Sequence, residues 1–304
     1  MELLQLISHI RCPILDKIMF VFTYLGDETA FLVIALIMFW CVDKRKGYYI
    51  LSVGFLGTLL NQFMKLWFRI PRPWHFDENI APMRDSVGAD GYSFPSGHSQ
   101  NSVGTFGGIA ATVKNKIIKI LCIVVCVMVP FSRMYFGVHT PQDVLVGSGM
   151  ALLLIVVLKP LILGKQDKFF PIFLMIMTVL AVSYLCFAEF YPFPPDTIEE
   201  AYKSGLKNSY TLLGALLGFL VVYPIEKKWI SFTEKAVWWA QILKVGLGLV
   251  VVLAVKEGLR IPLEFLAGEL PGRLLRYFLL VIVAGIVWPL SFKKFASVGK
   301  KAQS

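Results

Sequence analysis

Long apolar blocks separated by short polar stretches dominate the chain. A helix needs about 20 apolar residues to cross the hydrocarbon core of a bilayer, and nine blocks approach or exceed that length. They cover residues 18–42, 47–66, 99–114, 117–131, 142–160, 169–188, 209–225, 239–256 and 274–292. The third block is rich in Gly, Ser and Thr, and the fourth is short. The pattern predicts an all-α integral membrane protein with nine transmembrane helices.

Basic residues collect after every odd-numbered block. The clusters are Lys44, Arg45 and Lys46; Lys114, Lys116 and Lys119; Lys159, Lys165 and Lys168; Lys227 and Lys228; and Lys293, Lys294, Lys300 and Lys301. The even-numbered loops carry mixed or acidic stretches, such as residues 189–207. Because lysine and arginine in short loops stay on the cytoplasmic side, we expect the N-terminus outside and the C-terminus in the cytoplasm.

The composition agrees with a membrane protein. Hydrophobic residues make up 57% of the chain, against about 45–50% in a soluble domain. The formal net charge of +10 does not indicate a nucleic-acid partner, because the basic residues lie in short loops between apolar blocks. The five cysteines have neither the pattern of a disulfide framework nor that of a metal site.

Three polar stretches interrupt the apolar pattern, and the predicted topology places all of them at the outer face. The first begins with Lys65 at the end of the second block and continues with Arg69, Arg72 and Pro73. Charges so close to the hydrocarbon snorkel, pair or line a hydrated site. By itself, this stretch is explained equally well as a snorkelling belt.

The second stretch, Ser93–Ser99, opens the third block. Ser96 fits the N-cap of a helix, Gly97 lets the backbone approach a ligand closely, and the free N–H groups of the first turn attract an anion. Taken alone, His98 fits a capping or structural role as well as it fits a catalytic acid.

The third stretch lies between the fourth and fifth blocks and contains Arg133 and His139. Pro141 fits the first position of a helix, with Thr140 as its cap and Asp143 in the first turn. An imidazole just before the helix and a carboxylate four residues later can meet, and the carboxylate would then set the tautomer of the ring and raise its basicity. This is the His-Asp half of a nucleophilic arrangement.

Together the stretches bring guanidinium groups, an ammonium group, a helix N-terminus and two imidazoles to one side of the membrane. Arginine forks match phosphate oxygens, and fixed cations stabilise the charge that develops during phosphoryl transfer. No carboxylate cluster with the spacing of Mg²⁺ ligands accompanies them. The sequence therefore predicts phosphate chemistry without a metal or another cofactor.

The spacing of these residues resembles a known family. The patterns are Lys65-x6-Arg72-Pro73, Pro95-Ser96-Gly97-His98 and Ser132-Arg133-x5-His139-x3-Asp143. They are similar to the three signature motifs of the type 2 phosphatidic acid phosphatase (PAP2) superfamily, which also includes glucose-6-phosphatases and vanadium haloperoxidases. The motifs match in residue type, spacing and order, over about a quarter of the chain.

The resemblance implies a role for each matching residue. His139 would attack phosphorus and form a phosphohistidine, Asp143 would orient it, and His98 would protonate the leaving group and later serve as the base. The phosphoryl oxygens would be held by Lys65, Arg72, Arg133, Ser96 and the backbone N–H of Gly97. The membrane members have a core of six transmembrane helices, which implies a phosphatase core in residues 1–190 and an extension of three further spans in residues 191–304.

The motifs leave the substrate open. A site at the bilayer surface favours a phosphorylated lipid such as undecaprenyl diphosphate, phosphatidylglycerol phosphate or phosphatidic acid, and a compact chain with short loops favours the cytoplasmic membrane of a bacterium. Nine spans with an outside N-terminus also resemble glucose-6-phosphatases, which keeps a soluble phosphate monoester as an alternative. A lipid or anion transporter that uses the same basic pocket is a third hypothesis, and a haloperoxidase is disfavoured by the nine spans.

Overall fold

The computed structural model describes residues 1–77, 80, 87–89, 91–164 and 169–298. This part of the chain is helical and contains no strand. Its α-helices are α1 (Glu2–His9), α2 (Pro13–Leu25), α3 (Glu28–Ile37), α4 (Lys44–Phe68), α5 (Gly97–Ser102), α6 (Lys116–Tyr135), α7 (Pro141–Leu163), α8 (Phe169–Phe190), α9 (Glu199–Ile225), α10 (Trp238–Gly258), α11 (Arg260–Ala267), α12 (Glu269–Ile282) and α13 (Phe292–Val298).

Wider π-helical turns lengthen several of these helices. Met38–Val42 continues α3, Glu226–Ile230 continues α9, and Val283–Val287 continues α12. The α5 segment continues through the π-helical turn Val103–Gly107 and the short helix Gly108–Thr112. The third predicted span is therefore three short helical pieces in sequence, as its content of Gly, Ser and Thr suggests.

Six helical segments are long and apolar enough to cross a membrane, counted over the described residues. They are Lys116–Tyr135, Pro141–Leu163, Phe169–Phe190, Glu199–Ile230, Trp238–Ala267 and Glu269–Ser297, which correspond to the fourth to ninth predicted spans. The first predicted span is a pair of helices, Pro13–Leu25 and Glu28–Val42, bent by 57°. The second and third lie on α4 and the α5 segment. The prediction of an all-α, multi-pass membrane protein is confirmed.

The outward faces of these helices are apolar. Large side chains point away from the protein on α6 and α7, among them Ile120, Val127, Leu153 and Val156. Helices in water present polar residues at such positions, so these faces suit contact with lipid tails.

The chain divides into two compact units. The first comprises Met1–Ile34, Tyr49–Pro160 and Pro192–Gly205, and the second comprises Ala35–Tyr48, Leu161–Tyr191 and Leu206–Ser304. All three polar stretches belong to the first unit. The division of the chain into 1–190 and 191–304 stays a prediction, and Lys165, Lys168, Lys300 and Lys301, which the topology argument used, lie outside the described residues.

In the first unit, α6 packs against α1, α2 and the α5 segment. Asn115 caps α6, since its side-chain oxygen accepts from the backbone N–H groups of Ile117 and Ile118. At the other end of α6, the buried residues Tyr135, Phe136 and Val138 belong to one hydrophobic cluster with Ile7, Met19, Val87 and Ala89. This cluster anchors the turn that leads from Arg133 to His139.

In the second unit, α11 packs along α12, and α10 contacts α13. Two buried polar groups are satisfied inside it. Lys44 Nζ lies 2.7 Å from Glu226 Oε1, and Lys244 Nζ donates to the backbone oxygens of Trp40 at 2.8 Å and Glu234 at 3.0 Å. In this unit the Glu226 carboxylate is paired with a lysine, and the Lys244 ammonium group is hydrogen-bonded to backbone oxygens.

Candidate active site

Ser96 caps α5. Its Oγ accepts a hydrogen bond from the backbone N–H of Ser99 at 3.4 Å and another from the Ser99 hydroxyl at 2.9 Å, so the predicted N-cap is confirmed. Gly97 and His98 stand in the first turn, where the backbone N–H groups are unpaired by the helix. The Ser96 N–H donates to the backbone oxygen of Asp143 at 3.0 Å, which ties the second polar stretch to α7.

The start of α7 is a capping box. Thr140 Oγ1 accepts from the Asp143 N–H at 3.2 Å, while Asp143 Oδ2 accepts from the Thr140 N–H at 2.7 Å. Pro141 is the first helical residue, as predicted. One turn further, Gly147 lies against the capping loop of α5, where a Cβ would be 2.5 Å from the Ser96 backbone oxygen. Only glycine allows α7 and that loop to approach so closely.

His139 is buried between a guanidinium group on one side of its ring and polar oxygens on the other. Arg72 Nη1 lies 3.0 Å from His139 Nε2. Because a guanidinium group has donors and no acceptor, Nε2 must accept, and the ring proton resides on Nδ1. The Nδ1 side faces Ser93 Oγ at 3.4 Å and Asp143 Oδ2 at 3.5 Å. The unprotonated nitrogen therefore points towards the cations.

Asp143 makes its short side-chain contact with Ser93, not with His139. Ser93 Oγ donates to Asp143 Oδ2 at 2.6 Å, about an ångström shorter than the distance from that oxygen to His139 Nδ1. Sequence reasoning paired the imidazole with the carboxylate and assigned no role to Ser93, although it quoted this serine in the second stretch. Ser93 and His139 are 46 positions apart in the chain, and no local pattern indicates that they meet.

Lys65 and Arg72 are held by backbone oxygens from the chain just before the α5 cap and, for Arg72, also from the residue before His139. Lys65 Nζ donates to Tyr92 O at 2.6 Å. Arg72 donates through Nε to Gly91 O at 3.1 Å and through Nη1 to Val138 O at 2.9 Å. These carbonyl oxygens orient the two cations.

Arg133 is completely buried near the end of α6. Its Nη1 donates to Thr23 Oγ1 at 2.8 Å and to Val87 O at 2.7 Å, and its Nη2 donates to Gly88 O at 3.2 Å. Thr23 comes from α2, 110 residues earlier in the chain, and sequence reasoning missed it because nothing around it is unusual. The Arg133 Nε is buried and has no acceptor in the described part of the protein.

Two further polar residues lie within or just before the first stretch. Asn61, one helical turn before Lys65 and therefore on the same face of α4, is buried and donates through Nδ2 to Pro95 O at 3.3 Å. An amide inside an apolar block was the available signal, and sequence reasoning overlooked it. Arg69 turns back instead, donating to Leu66 O and Trp67 O at 3.2 Å, and is not part of the site.

The surroundings favour the neutral form of both imidazoles. Burial, followed by the charges of Arg72, Arg133 and Lys65, lowers the pKa of His139 well below its ordinary value. Burial and the charges of Arg133, His139, Lys65 and Arg72 lower the pKa of His98 likewise. An anion among these cations would reverse the electrostatic effect and raise both pKa values.

The eight residues predicted for the site all lie in the first compact unit, and the cations among them act on both imidazoles. The eight residues are Lys65, Arg72, Ser96, Gly97, His98, Arg133, His139 and Asp143. Among the described residues, no group of three or more His, Cys, Asp or Glu side chains is arranged to hold a metal ion. The arrangement is chemically suited to bind an anion such as phosphate next to a nucleophilic nitrogen.

Comparison with known proteins gives the same class. Residues 45–167 match the PAP2 superfamily, and residues 210–301 match the PAP2 superfamily phosphatase, transmembrane extension. Phosphatidylglycerophosphatase B of Bacillus subtilis is 33% identical over 163 residues, which cover 49% of this chain and 76% of the relative. Undecaprenyl-diphosphatase of Sulfolobus acidocaldarius is 29% identical over 147 residues, which cover 48% of this chain and 70% of the relative.

A solved structure is also similar to this chain. It is the crystal structure of the transmembrane PAP2 type phosphatidylglycerolphosphate phosphatase from Bacillus subtilis, with 31% identity, coverage of 54% of this chain and 84% of that chain, and a TM-score of 0.46. The chain belongs to the PAP2 superfamily, with a C-terminal transmembrane extension. It is accordingly a membrane phosphatase, a hydrolase of phosphoric esters or diphosphates.

Proposed function

We propose that this phosphatase removes a phosphoryl group from a phosphorylated lipid at the outer face of the membrane, through a phosphohistidine on His139 and without a metal ion. The observation that carries the proposal is the orientation of His139. Its Nε2 holds a lone pair and faces Arg72 at 3.0 Å. The charges of half-buried Lys65 and fully buried Arg133 also act on this ring. The cations can bind the phosphate oxygens, and the nitrogen lone pair can attack phosphorus.

In the first step, Nε2 of His139 forms a bond to phosphorus as the bond between phosphorus and the leaving oxygen breaks. His98 gives its proton to that oxygen, so the leaving group departs as a neutral alcohol or a protonated phosphate. The guanidinium groups of Arg72 and Arg133, the Lys65 ammonium, Ser96 and the Gly97 N–H hold the equatorial oxygens, whose negative charge grows in the transition state.

In the second step, water attacks the phosphorus of the phosphohistidine. His98, now neutral, takes a proton from the water as the new bond to oxygen forms and the bond to Nε2 breaks. The products are inorganic phosphate, neutral His139 and protonated His98, which restores the starting state. The cations supply the charge stabilisation for which other phosphoryl-transfer enzymes use Mg²⁺.

The lipid substrate is supported by the relatives and by the location of the site. The two relatives are named phosphatidylglycerophosphatase B and undecaprenyl-diphosphatase. The first name indicates a phosphate monoester as substrate, and the second indicates a diphosphate. The site residues lie at the ends of apolar helices, where a headgroup meets the protein while its acyl chains remain in lipid. We take phosphatidylglycerol phosphate, undecaprenyl diphosphate and phosphatidic acid as the substrate class, in a bacterial cytoplasmic membrane.

The decisive experiment measures phosphate release by the protein purified in detergent, from these lipids and from soluble monoesters such as glucose 6-phosphate, with EDTA present. We expect release from at least one lipid and none after His139→Ala. Preference for the soluble esters would replace the lipid substrate with a glucose-6-phosphatase-like one. Release that requires added Mg²⁺ would contradict the metal-independent mechanism, and lipid movement that survives His139→Ala would favour a transporter.

The proposed face is tested by labelling. In a variant without its native cysteines, Phe76→Cys places a thiol at an exposed position in the predicted outer loop, and Trp229→Cys places one at an exposed position beside the predicted cytoplasmic cluster. A membrane-impermeant maleimide should label the thiol at 76 in intact cells, and the thiol at 229 only after the cells are permeabilised. The opposite pattern would place the site in the cytoplasm.

A further inference from the structure

Ser93 begins a short segment that two backbone hydrogen bonds hold in place. It is completely buried, and its N–H donates to the backbone oxygen of Ile70 at 2.9 Å. Three residues later, the Ser96 N–H donates to Asp143 O at 3.0 Å. The short segment from Ser93 to Ser96 is therefore anchored at both ends, and the Ser93 side chain has little freedom to turn away.

The Ser93 hydroxyl lies between the carboxylate and the imidazole. Its oxygen is 2.6 Å from Asp143 Oδ2 and 3.4 Å from His139 Nδ1. A carboxylate only accepts, so the hydroxyl proton points to Asp143, and the lone pairs of Oγ are available to the Nδ1–H of His139. The direct distance from Asp143 Oδ2 to His139 Nδ1 is 3.5 Å. The ring nitrogen thus lies at nearly equal distances from the carboxylate and the hydroxyl, and the short contact is the one that joins the hydroxyl to the carboxylate.

We propose that Ser93 is a positioning residue for phosphoryl transfer, which couples Asp143 to His139 through its hydroxyl. This inference rests on the proposed function. When Nε2 bonds to phosphorus, the ring gains a positive charge that it shares with the Nδ1–H. Ser93 Oγ accepts from that N–H while its own proton stays with Asp143, so the carboxylate stabilises the phosphohistidine through the hydroxyl and no proton is transferred.

Other charges also act on the ring, and the test must separate them from Ser93. In the part of the chain that the structure describes, the charged and titratable groups around His139 are Lys65 from α4, Arg72 from the following loop, His98 from α5, Arg133 from α6 and Asp143 from α7. The Ser93 backbone also hydrogen-bonds to the ring and is present in every variant at this position. Among these groups, Asp143 faces the Nδ1 side and Arg72 the Nε2 side. A change confined to Ser93 leaves all five in the protein.

The test compares Ser93→Thr with Ser93→Val. The two side chains have nearly the same shape, so the packing disturbance at this buried position is matched, and only threonine keeps a hydroxyl. We expect kcat for the valine variant to be about tenfold or more below that of the threonine variant, with similar KM, the size expected for a hydrogen bond to a charged group. Equal kcat values would overturn the inference.

A pH profile separates positioning from simple damage. The hydroxyl favours the charged ring by accepting from Nδ1–H, so its loss lowers the pKa of His139. We expect the acid limb of kcat/KM to lie at lower pH in Ser93→Val than in Ser93→Thr. Coincident acid limbs would contradict the coupling, because a merely structural defect reduces activity without moving the limb.

A double-mutant cycle covers the case in which both variants at Ser93 are inactive. The kcat values of Ser93→Ala, Asp143→Ala and the double variant are measured. If the hydroxyl acts through the carboxylate, Ser93→Ala lowers kcat much less in the Asp143→Ala protein than in the wild type. If the loss of kcat in the double variant is the product of the two single losses, the inference is wrong. Ser209→Ala is the matched control, since Ser209 is also a completely buried serine, and its hydroxyl donates within α9 to Leu206 O at 2.7 Å.

Wild-type protein and His139→Ala are assayed beside these variants, so that two failures remain distinct. If the wild type releases no phosphate, the proposed function fails. If the wild type is active and His139→Ala is not, but the threonine and valine variants have equal kcat values, the role of Ser93 alone fails.

Discussion

Arg72 Nη1 and His139 Nε2 lie 3.0 Å apart, so a residue of the phosphate pocket contacts the nitrogen that attacks phosphorus in the proposed mechanism. The contact assigns the tautomer, because arginine only donates. It also implies an order of events: an incoming phosphate must take the Arg72 donor onto one of its oxygens before Nε2 reaches phosphorus. In the proposed mechanism, Arg72 thus orients the nucleophile first and then binds the substrate.

Arg72→Lys is expected to reduce kcat/KM about 10- to 100-fold although the charge is kept. Arg72 uses both Nε and Nη1 for contacts to Gly91 O and Val138 O, and lysine cannot reproduce a planar fork. Initial rates on detergent-solubilised lipid substrate measure the effect. Arg69→Lys is the control, since Arg69 bonds only its own helix end among the contacts described here. Equal losses in both variants would contradict a specific role for Arg72.

The pH dependence follows from the two imidazoles. In the proposed mechanism the nucleophile is a neutral ring, and the lowered pKa of His139 keeps it neutral. The acid limb of kcat/KM should therefore lie below the ordinary histidine value of about 6.5. His98 acts as an acid, so activity should fall as pH rises and its proton is lost. Bound phosphate raises the pKa of His98. The alkaline limb of kcat should therefore lie at higher pH than the alkaline limb of kcat/KM.

These limbs are measured from full kinetics between acid and alkaline pH, with the titration of the substrate determined separately. His98→Gln should be slow and should lose the alkaline limb, because glutamine does not titrate. A flat profile of the wild type through neutral and alkaline pH would argue against His98 as the acid.

Gly147→Ala should damage the site, because the new Cβ would lie 2.5 Å from the Ser96 backbone oxygen and would push α7 away from the α5 cap. Overpacking of this kind costs about 1–3 kcal/mol, and the displacement of Asp143 should reduce kcat as well. Gly149→Ala is a matched control two residues along the same helix, where a Cβ meets nothing within 4 Å. Thermal unfolding in detergent and phosphate release are the measurements, and indistinguishable variants would refute the close approach.

Thr23→Val should weaken phosphate binding through Arg133. The threonine hydroxyl accepts from Arg133 Nη1 at 2.8 Å, and its loss leaves part of a buried guanidinium group without that acceptor, at a cost of about 1–3 kcal/mol. We expect a higher KM and weaker inhibition by vanadate, a phosphate mimic. The control is Thr178→Val, which removes a hydroxyl that donates to Leu174 O within α8 and should leave KM and vanadate inhibition unchanged. A similar shift in both variants would contradict a role for Thr23 in phosphate binding.

Local signals predicted much of this site. Ser96 as an N-cap, Thr140 as a cap and Pro141 at the first helical position depend on contacts within three or four residues, and each was predicted correctly. The spacing of His139 and Asp143 likewise brought them near each other on either side of a helix start. The distance between them and the short contact of Asp143 with Ser93 depend on how the α5 loop packs on α7, which no spacing encodes.

Hydropathy along the sequence is enough to predict an all-helical membrane protein, and the three polar stretches predict a phosphatase through their resemblance to the PAP2 motifs. Hydropathy and helical capping are local properties, so they can be recognised without a fold. Tertiary structure decided which side chains complete the site. Thr23 meets Arg133 across 110 residues and Ser93 meets His139 across 46, and the tautomer of His139 follows from Arg72, because these contacts exist only after separate helices have packed together.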